Sequence, residues 1–297
     1  MKTASVLIKR NVKLFFKDKG MFFTALITPG ILLVLYATFL SNVYRDSFLA
    51  GLPEGISLDD GLIDGLVAGQ LMSSLLAVSC VTVAFCANFL MVQDRANGTA
   101  KDLCIAPVKS STLSLCYYVA TLLSTFLICF IATGLCLLYV AIQGWYLSVV
   151  DVLMIFLDVT VLVLFGTALS SVINFFLSTQ GQLSAVGTIV SAGYGFICGA
   201  YMPISSFGEG LQNAVMFLPG TYGTALMRNH SLGGVFAEME AQGLPVEVTD
   251  SLRDLLDCNL YFFGDKVPFP VMYLILGGAV AILVLAYVLM NRFRKKA

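Results

Sequence analysis

Residues Gln93–Lys109, QDRANGTAKDLCIAPVK, form a short polar island between two long apolar runs. Asp94, Arg95, Lys101, Asp102 and Lys109 stand there, in a chain in which only 12% of residues are charged. Their signs alternate, so the island is not a basic patch for lipid headgroups alone. Gly98 supplies a turn, and Pro107 biases Ala106 away from the helical region, which gives the island a defined end. Two apolar runs therefore meet at a compact, hydrogen-bonding surface that must face water. Such a surface is either an ordinary loop or a docking point for a soluble partner.

The flanking sequence decides the class. Apolar residues make up 58% of the 297 residues, and the mean hydropathy is +0.89. That is far from the balance of a soluble domain. The apolar residues fall in six blocks, at 21–40, 67–91, 113–142, 150–177, 183–201 and 270–290. Each is long enough to cross about 30 Å of hydrocarbon at about 1.5 Å per residue. Backbone groups in lipid must be satisfied within the segment, so each block is expected to be a helix. The fold class is an all-α membrane protein with six transmembrane helices, forming a single domain over residues 1–297.

The basic residues set the orientation. Lys2, Lys9, Arg10, Lys13, Lys17 and Lys19 precede the first block; Arg292, Arg294, Lys295 and Lys296 follow the last; Arg95, Lys101 and Lys109 lie in the island. With an even number of spans these segments share one face, which the positive-inside rule makes cytoplasmic. The opposite loops hold most of the acidic residues. Both termini are thus expected inside, in the plasma membrane of a bacterial cell. No cleavable signal peptide is expected, because the first apolar run begins only after a basic helix.

At 100° per residue, Ala4, Leu7, Ile8, Val12 and Phe15 fall on one arc, with Lys2, Lys9, Arg10, Lys13 and Lys17 on the other. Residues 1–20 are read as an interfacial helix on membrane lipid. Pro29-Gly30 predicts a kink in the first span. Ser73, Ser74, Ser79, Cys80 and Thr82 make the second span suited to close helix packing. Tyr139, Trp145 and Tyr146 mark the outer end of the third. The fourth holds Asp158, with Asp151 two turns earlier on the same face. An unpaired carboxylate in lipid costs at least about 2.5–3.5 kcal/mol, so Asp158 is either a proton relay, a cation site or part of a pore, or a protonated or hydroxyl-bonded carboxylate that faces the bundle near its outer end. The fifth carries a small-residue stripe, Gly187, Ser191, Gly195 and Gly199, for packing within the subunit or across a dimer.

Within the island, Gln-Asp-Arg-x-Asn-Gly-Thr, then Leu103 and Ala-Pro-Val-Lys, resembles the first cytoplasmic loop of ABC-2-type exporter permeases. LIKRNVKLFFKDKGMFF resembles that family's N-terminal connecting helix. Residues 201–234 contain Met-Pro, Phe-Leu-Pro-Gly-Thr-Tyr and Met-Arg-Asn, and resemble its outer block of short re-entrant helices. Residues 207–218 are amphipathic and too short to cross, and Pro203, Pro219 and Gly220 supply the turns of an extracytoplasmic hairpin. Residues 235–266 then read as an acidic, soluble-looking insert, favoured as a surface ornament, with a helix capped by Thr249 or Asp250. Together 202–269 are placed outside. The resemblance implies a permease subunit that pairs with a second permease, as a homo- or heterodimer, and with a separate ABC ATPase. Asp94, Arg95, Asn97, Gly98, Thr99, Lys101, Asp102 and Leu103 are the implied ATPase-coupling residues. The implied cargo is a hydrophobic drug, antimicrobial peptide or lipid-like molecule moved out of the cell.

The chain itself is expected to be no enzyme and to hold no cofactor. It has no GxxxxGK[ST] loop, so ATP and magnesium belong to the partner. The eight cysteines form no CxxC pair, and the single histidine, His230, excludes a His-rich metal site. Nucleic acid is not an expected partner. The competing hypothesis is a stand-alone channel or ion-coupled transporter using Asp158. An intramembrane enzyme lacks any convincing catalytic pair.

Overall fold

The computed structural model describes residues 2–50, 59–105 and 108–293. The expected helix end at Ala106-Pro107 lies outside them. Among the described residues, five helical runs are long and apolar enough to cross a membrane: Lys19–Asp46, Asp60–Ala96, Ser110–Gln143, Val149–Phe175 and Phe269–Phe293.

The first helix, α1 (Lys2–Lys17), buries Leu7, Asn11 and Phe15 at helical spacing and exposes Lys9, Lys13 and Lys17. Its apolar arc rests chiefly on α6 (Ser110–Gln143). Asp18 then caps α2 (Lys19–Leu35), accepting the Met21 N–H at 3.1 Å. The helix continues through Pro29. Its departure from α geometry comes later, in the π-wound stretch Tyr36–Leu40 that leads into α3 (Ser41–Ala50). Arg45 bonds both Asp60 and Asp64, tying α3 to the next helix.

That helix, α4 (Asp60–Ala96), is the post of the bundle. It exceeds the expected block at both ends because α2, α6, α7 (Val149–Phe175), α8 (Gln180–Ile197) and α10 (Pro219–Ala241) surround it and bury nearly every residue. Its small side chains let neighbours in. At Gly166 on α7, a Cβ would lie 2.7 Å from the Cys80 carbonyl oxygen, so only glycine allows this crossing.

Three expectations need correction. The fifth block ends early: α8 stops at Ile197, spans 18 residues and is not among the five apolar runs, since Gln180 and Gln182 dilute its first turn. The outer block and the insert do not divide at 234/235. After a 3-10 turn at Ile204–Ser206 and α9 (Glu209–Val215), one helix, α10, runs from Pro219 to Ala241. Pro219 occupies its first turn, where the missing N–H costs nothing. Finally, the insert is no ornament. Val235, Phe236, Met239, Leu252, Leu256 and Cys258 all join the main core. Its own helix, α11 (Val246–Leu255), starts three residues before Thr249, which is buried and bonds Glu240. Burial pushes the Cys258 thiol up to about 12, which keeps it a protonated apolar group. A two-residue turn, Phe263-Gly264, with both residues at positive φ, closes the hairpin β1 (Tyr261–Phe262) and β2 (Asp265–Lys266) before α12 (Phe269–Phe293).

Candidate functional site

The polar island folds as the end of α4, a turn at Gly98 (φ +81°) and the short helix α5 (Thr99–Ile105). Its charges part company there. Asn97, Lys101 and Asp102 are exposed, Gly98 and Thr99 are half-buried, and Leu103 packs against the core. Asp94 and Arg95 turn inward.

Asp94 is 6% exposed and accepts from both nitrogens of the Arg10 fork, at 2.8 and 3.3 Å, and from the Tyr117 hydroxyl at 2.5 Å. The hydrogen bond to Asp94 holds the Arg10 guanidinium above its ordinary value. Arg10 thus leaves the headgroup-facing arc expected of it. One carboxylate joins α1, α4 and α6 through a two-pronged, charge-assisted bond.

Arg95 caps α7. Its Nη1 donates to the carbonyls of Asn174, Phe175 and Leu177 at 3.1, 2.8 and 3.3 Å, and its guanidinium lies 5.7 Å from the Phe175 ring centre. A cation at the carbonyl end of a helix offsets the helix dipole. A cleft of about 480 Å³ opens beside it, lined also by Phe176, Met290 and Phe293. One level deeper, the Asn88 amide donates to Ser170 and Ser171 at 3.2 and 3.0 Å, which ties α4 to α7 again. Displacement of α5 would therefore be felt by four helices.

Toward the other end of the bundle, Asp158 is buried but paired. His230 Nδ1 of α10 lies 2.6 Å from one carboxylate oxygen, and the Tyr273 hydroxyl of α12 donates to the other at 2.5 Å. Sequence reasoning missed both partners, since neither stands on a neighbouring turn. Asp151 does not join them. It is the third residue of a capping box, accepting from the Ser148 N–H and hydroxyl at 2.9 and 2.7 Å, and it starts α7. Because Asp158 closes a three-helix bond, Asp158→Ala should lower stability by about 1–3 kcal/mol, while Asp158→Asn keeps most of it. Thermal unfolding in detergent measures the difference; equal losses in both variants would refute it.

The small-residue stripe divides as well. A Cβ on Gly187 would press on the Phe89 ring of α4 at 3.2 Å, and one on Gly195 would enter the Tyr201 ring at 2.3 Å. The Tyr201 hydroxyl approaches the Ser191 carbonyl at 3.5 Å. Gly199 lies beyond the end of α8 with φ +74°, as a left-handed helix stop rather than a rung of a packing face. The spacing of Gly195 and Gly199 is thus not a helix surface. Gly187 and Gly195 are covered from within the chain.

A family model for the ABC-2 type transporter matches residues 3–230, more than half of the chain. The chain belongs to this family. No curated protein matches it closely enough to count as a relative. ABC-2 membrane proteins are transport components that work in general with an ABC ATPase, and the apolar helices make this one a multi-pass membrane protein.

The matched segment of this ABC-2 protein ends at His230, within α10. Next to it, Arg228 forms a wholly buried ion pair with Asp257, at 3.1 Å, and also donates to the Gly199 carbonyl. Asp257 accepts from the backbone N–H of Ile204 and Ser205 at 2.6 and 3.4 Å, anchoring the turn after Pro203. Burial lifts the Asp257 carboxyl, and Arg228 with these N–H groups opposes the lift. Gly220, in the first turn of α10, is packed under Tyr194, whose hydroxyl would lie 2.5 Å from a Cβ there. Pro203 and Pro219 thus bracket the α8–α10 connection.

Proposed function

We propose that this chain is the permease subunit of an ATP-driven exporter, with α8 as the fifth of six spans and both termini in the cytoplasm. In this reading α5 is the coupling helix. Lys101 and Asp102 face outward for salt bridges to the ATPase, with Asn97 and Thr99 beside them. The observation that carries the reading is the corner itself: a short, partly exposed helix at the foot of a post buried along nearly its whole length, with Asp94 and Arg95 fastening that post to α1, α6 and α7. ATP-driven closure of the ATPases would push on α5 and tilt the helices together. Two permease copies, alike or different, would part to open a path for a hydrophobic drug, antimicrobial peptide or lipid-like molecule. The outer end of this path would be formed by α9 and α10, dipping between the spans as a re-entrant pair.

The test is a mild-detergent purification of the tagged chain, with ATP hydrolysis assayed on what accompanies it. A stoichiometric ATPase is expected. Lys101→Glu with Asp102→Lys should release it while leaving the melting temperature unchanged, because exposed substitutions typically stay within about 0.5 kcal/mol. Retention of the ATPase by that variant would remove α5 as the contact. A chain that purifies alone, with proton-driven flux lost in Asp158→Asn, would favour the stand-alone transporter instead.

A further inference from the structure

Six polar atoms between α2, α4 and α10 have no hydrogen-bond partner among the described residues. They are the Tyr36 hydroxyl, both amide atoms of Gln70, the Ser74 hydroxyl, Arg228 Nε and the Ser231 hydroxyl. None of these residues is more than 2% exposed. An unpaired buried group costs about 1–3 kcal/mol, so such a cluster calls for a partner that the described residues do not supply.

The groups converge on one seam. Gln70 and Ser74 lie one turn apart on α4, and Arg228 and Ser231 one turn apart on α10. The two helices touch here, since a Cβ on Gly69 would lie 2.8 Å from the Ser231 carbonyl oxygen. From the third side, the hydroxyl of Tyr36, on the π-wound stretch that follows α2, approaches Ser74 and Tyr44 without closing a hydrogen bond of ordinary length to either. Its ring stacks on Tyr44 at 5.6 Å.

The wall carrying Tyr36 is built to yield. Phe23, Ile27, Ile31, Val34 and Phe39 on its outer side are exposed, so no other described part of the chain backs it. Pro29 removes one rung of its hydrogen-bond ladder, and Tyr36–Leu40 is wound as a π-helix, a geometry that recurs at functional sites.

The chemistry of the seam is lopsided. Arg228 Nε and the Gln70 amide nitrogen can only donate, the three hydroxyls can donate, and the Gln70 oxygen is the one obligate acceptor. Such a set fits oxygen acceptors. The charge of Arg228 is already met by Asp257, so the fitting acceptor is a neutral carbonyl rather than an anion.

We propose that the α2–α4–α10 seam is a polar slot of the transport path, closed in this structure, that takes the neutral carbonyl groups of an apolar amide or ester. This deepens, and rests on, the permease reading above. Lateral movement of α2 would admit the polar part of such an amphiphile while its apolar body stays against lipid-facing side chains.

The test uses the full chain in lipid nanodiscs without ATPase, and an N-dodecanoylglycinamide probe with a photoreactive diazirine beside its amide. Crosslinks should concentrate in residues 31–44 and 66–78. Unlabelled N-dodecanoylglycinamide should compete, and dodecyltrimethylammonium, which offers no carbonyl, should not. Gln70→Leu with Ser74→Ala should cut labelling about tenfold, and Tyr36→Phe, which removes one oxygen and keeps the ring, about threefold. Labelling spread evenly over the lipid faces of α6 and α12, or unchanged in Tyr36→Phe, would overturn the slot. Because labelling needs no ATPase, slot and export reading fail separately: specific labelling in a chain that recruits no ATPase keeps the slot and sinks the exporter.

Discussion

Asp257→Ala is expected to cost about 3–5 kcal/mol, a large part of a folded domain's margin of about 5–15 kcal/mol, because it leaves Arg228 charged and unpaired in a wholly buried site. The side chains of Arg228 and Asp257 are 1% and 5% exposed, so water cannot replace the lost partner. Alanine also loses the acceptor for the Ile204 and Ser205 N–H groups, and it must hold the left-handed backbone of Asp257, at φ +52°. Asparagine tolerates that conformation and can still accept one N–H, so Asp257→Asn should recover part of the loss. Arg228→Ala should be nearly as damaging. The pair Arg228→Met with Asp257→Asn should be milder than the sum of its members, since neither charge is then stranded. Detergent-solubilised yield and thermal unfolding measure all four variants. An Arg228→Ala protein that melts with the parent would show that the ion pair holds nothing. The effect should be greatest at the α8–α10 connection, where protease cleavage after Ser205 or Ser206 would report its release.

Asp94→Ala is the second large effect, and it combines stability with coupling. Arg10 is partly exposed, with 28% of its side-chain surface open, so the expected loss is smaller, about 2–3 kcal/mol. The loss falls on one contact: α1 should detach from α4 and α6, opening Lys9 and Lys13 to trypsin before the bundle melts. Arg10→Lys keeps the charge but not the fork, and should fall between parent and Arg10→Ala. On the exporter reading proposed above, Asp94→Ala should leave ATP hydrolysis of the ATPase-bound complex in place and reduce transport at least about tenfold, because a push on α5 would no longer reach α1 and α6 as one body. A double-mutant cycle of Arg10→Ala and Asp94→Ala decides it. Additive effects would mean that the two side chains act independently and the corner transmits nothing through them.

The two kinds of residue in the polar island show why only part of the site was legible. Lys101 and Asp102 were found by sign and by their place between two apolar runs, and both are indeed at the surface. Asp94 and Arg95 carry the same signal but point inward, because their partners lie on α1, α6 and α7, where Arg10 is 84 positions from Asp94. Hydropathy cannot see a partner that distant. The same holds for His230 against Asp158, 72 positions apart, and for Arg228 against Asp257. Residues 235–266 misled for a related reason. Their acidic composition reads as solvated, yet Val235, Phe236 and Met239 recur at helical spacing on α10, and Leu252 of α11 joins them in the core.

What the sequence by itself determined is the multi-pass membrane class, the amphipathic character of the first helix, and the family. Each follows from local properties: the run length that crosses hydrocarbon, the angular sorting of a helix, and a short ordered motif. The tertiary structure alone decided which polar groups meet, where α8 ends, that α10 is one helix, and that six polar atoms along the α2–α4–α10 seam have no hydrogen-bond partner among the described residues. Those outcomes depend on how helices cross, and small residues such as Gly69 and Gly166 set that approach only once the opposing backbone is in place.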